Sequence, residues 1–87
     1  MIAFLQGTLL DVFKDSCIIL TQAGVGYLVR MAGPQLERLP EKNEPLALHV
    51  HTLVREDSLD LYAFFTKQER DTFVQLLAVS KLGPKTA

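Results

Sequence analysis

Apolar residues recur at every second position through most of the first 65 positions of this chain, then shift to helical spacing. Period two marks a half-buried strand, and the three-to-four spacing marks an amphipathic helix. The first run, Ile2 to Phe13, predicts one long strand. Ile2, Phe4, Gln6, Thr8, Leu10 and Val12 share one face; Ala3, Leu5, Gly7, Leu9, Asp11 and Phe13 share the other. Gly7 in the interior predicts a bulge or a sharp coil. A long, bent first strand serving two sides of a sheet suits a small closed barrel. Lys14-Asp15 reads as a turn, Cys17 to Thr21 as a β-branched second strand and Tyr27 to Ala32 as a third. The glycine-rich stretch Gln22 to Gly26 between them reads as a hairpin loop. Gly33-Pro34 breaks the pattern, and Gln35 to Leu39 has room for one helical turn before Pro40. Glu41 to Pro45 is a solvated loop. Leu46 to Val54 is the fourth strand, with Leu46, Leu48, Val50, Thr52 and Val54 on one face; Leu59 to Phe65 is the fifth.

The last two runs flank Arg55-Glu56-Asp57-Ser58. Two alternating runs around a short polar break predict a β-hairpin. The break is not a two-residue Asn-Gly or Asp-Gly turn, so a four-residue loop is expected. Glu56 and Asp57 then sit side by side at an exposed tip. Taken by their chemistry alone they are a solvated loop tip, an acid/base pair, a metal site or a surface that repels DNA. Acid/base work needs two environments that pull the pKa values apart, and one exposed tip supplies one environment.

Thr66-Lys67-Gln68-Glu69 is a capping box, with the threonine hydroxyl on an amide three residues on and the glutamate reaching back. A helix from Lys67 to about Ser80 follows, with Phe73, Leu76, Leu77 and Ser80 on one face and Gly83-Pro84 as its stop. Five short strands and a helix in this order predict a mainly β fold: a five-stranded OB-like Greek-key barrel followed by an α-helix. The expected division is a barrel over 1–65 and the start of a helical unit over 66–87.

Composition narrows the function classes. With 87 residues, 48% of them hydrophobic and 22% charged, the chain is globular and makes a modest core that association would help. A net charge of −1 supplies no global basic field for nucleic acid, so DNA binding needs a local patch or several copies of one. The single cysteine, Cys17, excludes an internal disulfide, and its place in an apolar strand predicts a buried, inert thiol. Neither a signal peptide nor a transmembrane span is readable, which makes the cytoplasm the expected compartment.

His49 and His51 share a strand face at metal-chelating distance, but no third ligand is evident, and a surface or interface role is expected. Gly24-Val25-Gly26 lacks the third glycine of a phosphate loop and lies between strands, so it is a turn. Ser16, Cys17 and the histidines form no triad. No nucleotide-binding motif and no cofactor are expected. Lys67, Arg70, Lys81 and Lys85 read either as a basic rim or as a helix face balanced by Glu69 and Asp71.

Met1-Ile2, Gly7-Thr8-Leu9, Gly24-Val25-Gly26-Tyr27, His51, Val54-Arg55-Glu56-Asp57, Leu61-Tyr62, Phe64, Gln68-Glu69-Arg70, Phe73 and Gly83-Pro84-Lys85 occur in this order. Their spacing resembles that of the RuvA family, the Holliday-junction-binding subunits of the bacterial branch-migration machine. The resemblance runs the length of the chain and covers the front part of the family, so an N-terminal fragment is expected. It implies a non-catalytic DNA-architecture protein of recombination, repair and the SOS response, working as a homotetramer or octamer on four-way junction DNA. It further implies partners in the RuvB ATPase and the RuvC resolvase, reached through parts of the family's chain that this one lacks. Glu56 and Asp57 match the family's acidic pin, which four subunits bring to the junction centre to keep strands apart. Arg55, Lys81, Gly83 and Lys85 match positions at or near DNA, the last three in the first half of a helix-hairpin-helix unit. Lys81 stands where the family usually has glycine. Phe4 and Gln6 stand where it often has arginines, so phosphate contacts do not carry over to the first strand, and apolar surface there suits a subunit contact. Rival readings are a single-strand-binding OB module, which needs aromatics along an exposed face, and a structural oligomerisation domain.

Overall fold

The structure is a computed structural model and describes residues 1–82, with side chains through 79. Its elements are β1 (Phe4–Val12), β2 (Ser16–Thr21), β3 (Gly26–Arg30), the short α1 (Gly33–Leu36), β4 (Pro45–Val54), β5 (Leu59–Phe64) and α2 (Lys67–Leu82). The strands close into a barrel in the order β1-β2-β3-β5-β4. The predicted five-stranded barrel with a following helix is therefore what the chain forms, with element ends moved by one or two residues.

β1 closes the barrel because it serves two neighbours. Its first half pairs with β4 from Phe4↔His49 to Thr8↔Pro45, and its second half pairs with β2 from Gly7↔Thr21 to Val12↔Cys17. Gly7 belongs to both ladders, and there the chain passes so close to β2 that a Cβ would be driven into the Leu20 carbonyl. The expected irregularity lies elsewhere: the register slips between Leu9 and Asp11, which leaves Leu10 as the extra residue. Gly7 is thus required for close approach, while the bulge follows three residues later.

The barrel's other seam is thin. β3 and β5 run parallel and share one pair, Arg30↔Tyr62. Side chains reinforce it: the Arg30 guanidinium lies 3.3 Å from Asp60 on β5 and 3.5 Å from Asp15 in the β1–β2 turn.

The core is the inward face of these strands. Leu9, Cys17, Ile19, Val29, Leu48, Val50 and Ala63 are all but sealed from water, and Leu5, Met31, Leu46 and Leu61 complete the cluster. Cys17 is buried as expected; its thiol donates to the Met31 sulfur at 3.8 Å, and burial pushes its pKa up to about 11. Such a thiol is protonated and unreactive at neutral pH.

The predicted capping box forms. The Glu69 N–H donates to Thr66 Oγ1 at 3.1 Å, and the Thr66 N–H donates to Glu69 Oε1 at 3.3 Å. α2 then lies across the outside of β4 and β5. Phe73 meets Tyr62 and Phe64 at ring separations of 5.0 and 5.1 Å and His51 at 6.1 Å. Phe73 and Leu77 are partly buried, but Leu76, predicted to pack with them, is 61% exposed. The helix touches the barrel along a narrower stripe than the spacing implied. The Ser80 side chain lies outside the described ones.

Candidate nucleic-acid interface

The acidic tip ends the β4–β5 ladder, which has the longest unslipped register in the barrel. β4 and β5 pair without a slip from His49↔Phe64 to Val54↔Leu59. The Arg55 N–H then donates to the Ser58 carbonyl at 2.8 Å, closing the four-residue loop expected from the sequence. A ladder with no bulge carries its register to Val54↔Leu59, so Glu56 and Asp57 fall in the loop that follows directly. Arg55, Glu56, Asp57 and Ser58 are all exposed. The two acids share one solvated environment, which suits a fixed patch of negative potential.

Four of the described cations are engaged. Arg30 holds Asp15 and Asp60, Lys42 holds Asp11 at 3.3 Å, and Arg70 holds Asp71 at 2.9 Å. The Asp11 carboxyl is held below its ordinary range, first by the Val12 N–H and then by Lys42. Arg38 lies over the Phe65 ring at 4.8 Å. Among the described residues, Lys14, Arg38, Arg55 and Lys67 have no carboxylate within 4.0 Å. Of the expected basic rim, Arg70 is thus tied to its neighbour and Lys67 is exposed. Lys81 falls in the last turn of α2; Gly83 and Lys85 lie outside the described residues.

His49 and His51 point outward from β4, as their spacing requires. Each meets an aromatic ring, His49 with Phe4 at 5.2 Å and His51 with Phe73 at 6.1 Å. Among the described residues no group of three potential metal ligands comes together, the histidines included. The outer face of β4 and β5 does carry aromatics, but Tyr62, Phe64 and Phe73 are engaged with one another and partly buried. A single-strand-binding groove needs such rings free for bases. Among the described residues, no helix is long and apolar enough to cross a membrane.

Sequence reasoning did not anticipate the Arg30 bridge across the β3–β5 seam, because its partners lie on different elements. Of the five residues it grouped on one face of β4, Leu46, Leu48, Val50 and Thr52 are buried, while Val54 is 59% exposed. That face continues past the rim, where none of the described residues covers it.

Fold and tip together define a small OB-like barrel that presents an acidic hairpin loop. Residues 1–63 match the family model described as the RuvA N terminal domain. The chain is 46% identical over 87 residues to the protein named Holliday junction branch migration complex subunit RuvA in Oleidesulfovibrio alaskensis, covering all of this chain and 43% of that one. The proteins of the same name in Nitratidesulfovibrio vulgaris strain Miyazaki F and Legionella pneumophila strain Corby are 44% and 40% identical over 87 residues. These matches cover all of this chain and 43% and 44% of the relatives. The chain belongs to the RuvA family. It spans under half the length of these curated relatives.

Proposed function

We propose that the chain is the barrel end of a Holliday-junction-binding subunit of a branch-migration complex, acting in recombination and repair. It does no chemistry itself; a RuvB-type ATPase supplies the motor, and a RuvC-type resolvase is a further partner. The observation that carries this reading is the acidic pair, Glu56 and Asp57, fixed by an unbroken ladder at the exposed end of an OB-like barrel. Salt at 0.1 M screens charges beyond about 10 Å, so this pair acts on DNA only if brought close to it. Four copies in a ring, with their tips at the centre, would bring it there. An unbroken duplex laid across that centre meets repulsion, whereas the open centre of a four-way junction admits the tips.

Affinity belongs elsewhere. Phosphate contacts supply most non-specific binding, and many cations of the described surface are already paired. In this reading residues 66–87 belong to the first half of a helix-hairpin-helix unit, which follows the barrel of 1–65 and in which Lys81, Gly83 and Lys85 are the candidate phosphate-binding residues. The setting is cytoplasmic, and assembly is tetrameric or octameric.

The test is Glu56→Gln with Asp57→Asn in a full-length relative-like context, at one fixed salt concentration. Duplex binding should tighten more than junction binding, so that affinity rises and specificity falls. Unchanged duplex binding would return the pair to a solvated tip. A loss of chemical activity without a gain in duplex binding would mark a catalytic pair.

A further inference from the structure

On its core face β4 reads Leu46, Leu48, Val50 and then Thr52, a hydroxyl after three apolar side chains. Thr52 is buried, opposite the buried Leu61. A buried hydroxyl costs stability unless it is bonded, and a valine of the same shape would fill the place without that cost. The Thr52 hydroxyl is bonded as donor and as acceptor, and both bonds go to one residue. It accepts from the Ile2 N–H at 3.0 Å and donates to the Ile2 carbonyl at 2.7 Å. The β1–β4 ladder ends at Phe4↔His49, and just beyond it the Val50 N–H donates to the Ala3 carbonyl at 2.8 Å. The threonine thus continues the attachment of β4 to the start of the chain past the point where backbone pairing stops. Ile2 in turn is partly buried against the barrel core.

This attachment lies at the base of the acidic hairpin. Thr52 and Leu53 are the last buried residues before the exposed run from Val54 to Leu59. β5 pairs with this end of β4 along one edge. Along the other edge, among the described residues, the Thr52–Ile2 bonds are the last hydrogen bonds before the tip. Two-stranded ribbons twist more strongly than wider sheets and are marginal by themselves. We propose that Thr52 is a positioning residue for Glu56 and Asp57: by fastening the hairpin base to Ile2 it sets the direction in which the acidic tip leaves the barrel. Its consequence for binding rests on the reading of Glu56 and Asp57 as a pin. Repulsion between carboxylate and phosphate falls with separation and is screened beyond about 10 Å at 0.1 M salt. A tip that swings on a loose base spends less time where it acts, so discrimination against duplex weakens although the charge is intact.

Thr52→Val removes the hydroxyl and keeps the shape; Thr52→Ser keeps the hydroxyl. Amide hydrogen exchange on the chain reads the first effect. In Thr52→Val the amides from Leu53 to Leu59 should exchange about tenfold faster than in the wild type, as the loss of two hydrogen bonds implies. Those of Leu48 and Val50 should change much less, and Thr52→Ser should keep the slow exchange. Junction and duplex affinities of a full-length protein carrying this barrel, at one fixed salt concentration, read the second effect. Thr52→Val should lower the ratio of junction to duplex affinity part of the way toward that of the Glu56→Gln, Asp57→Asn protein. Combined with that pair of substitutions it should lower the ratio no further, and Thr52→Ser should leave the ratio at the wild-type value. Equal acceleration of all β4 amides, or a Thr52→Val chain that does not fold, would make the bonds general support of the barrel and overturn the proposal. An unchanged ratio despite faster exchange at the tip would overturn it, and so would a full further fall on top of the double substitution. The pin reading fails separately, on the duplex affinity of the Glu56→Gln, Asp57→Asn protein, and the exchange result stands or falls without it.

Discussion

The two ends of the β4–β5 ladder share one alternation and differ in what covers it. At the inner end Leu48, Val50 and Ala63 are 0%, 1% and 0% exposed, because the closed barrel packs them in one cluster with Leu5, Leu9, Cys17, Ile19 and Val29. At the outer end Val54 and Leu59 continue the same face and are more than half exposed. The residues are of one type and the backbone is one continuous ladder. Periodicity therefore fixes which way a side chain points, while barrel closure decides whether anything lies opposite. An apolar residue whose own chain does not cover it is either indifferent or held for a partner.

Substitution at the two ends should separate them by the largest margin. Leu48→Ala removes a sealed side chain and should cost about 2–5 kcal/mol. Val54→Ala removes two methyl groups from an exposed site and should stay within about 0.5 kcal/mol of the wild type in a monomeric state. Urea unfolding at low protein concentration makes the comparison. Similar losses at both positions would mean that the tip folds back under cover in solution.

The barrel was legible in the sequence because its signal is local. Alternation, the Gly33-Pro34 break and the Thr66–Glu69 capping box each act within a few residues, and each appears where expected. The acidic loop was legible for the same reason. What the sequence hid depends on elements distant along the chain. Gly7 looks like a bulge until β2 is seen against it. The slip at Leu10 has no residue signature, since any side chain serves as the extra one in a bulge facing solvent. Leu76 has the helical spacing of Phe73, yet α2 touches the barrel along a narrow stripe and leaves it outside. Val54 fits the core pattern and falls one step beyond the rim. The whole-chain motif pattern, by contrast, pointed to the family that the relatives share.

Phe73 lies between the two extremes of burial. Its ring is partly buried on Tyr62, Phe64 and His51 and forms the main contact of α2 with the barrel. Phe73→Ala should cost about 1–3 kcal/mol, below the roughly 3–5 expected of a sealed aromatic. Helix content should fall in circular dichroism before the strands melt. A loss as large as that of Leu48→Ala would make α2 part of the barrel core and erase the distinction between its inner and outer layers.

A small effect should also come from Arg30, at the level of the ladder where cover gives way to exposure. Its guanidinium reaches Asp60, whose strand partner Leu53 is among the last buried residues before the tip. The arginine side chain is 44% exposed and that of Asp60 21%, so water screens the pair. Exposed ion pairs contribute about 0.2–1 kcal/mol, and a double-mutant cycle of Arg30→Ala with Asp60→Ala should return a coupling in that range. The interest lies in what a larger value would mean. β3 and β5 share only one backbone pair, so little else ties the seam beside the tip. A coupling above about 2 kcal/mol, accompanied by faster amide exchange along β5, would show that side chains and not the backbone close the barrel there. The inner end of the ladder would then owe its cover to packing, and the outer end would owe its fixed position to one arginine.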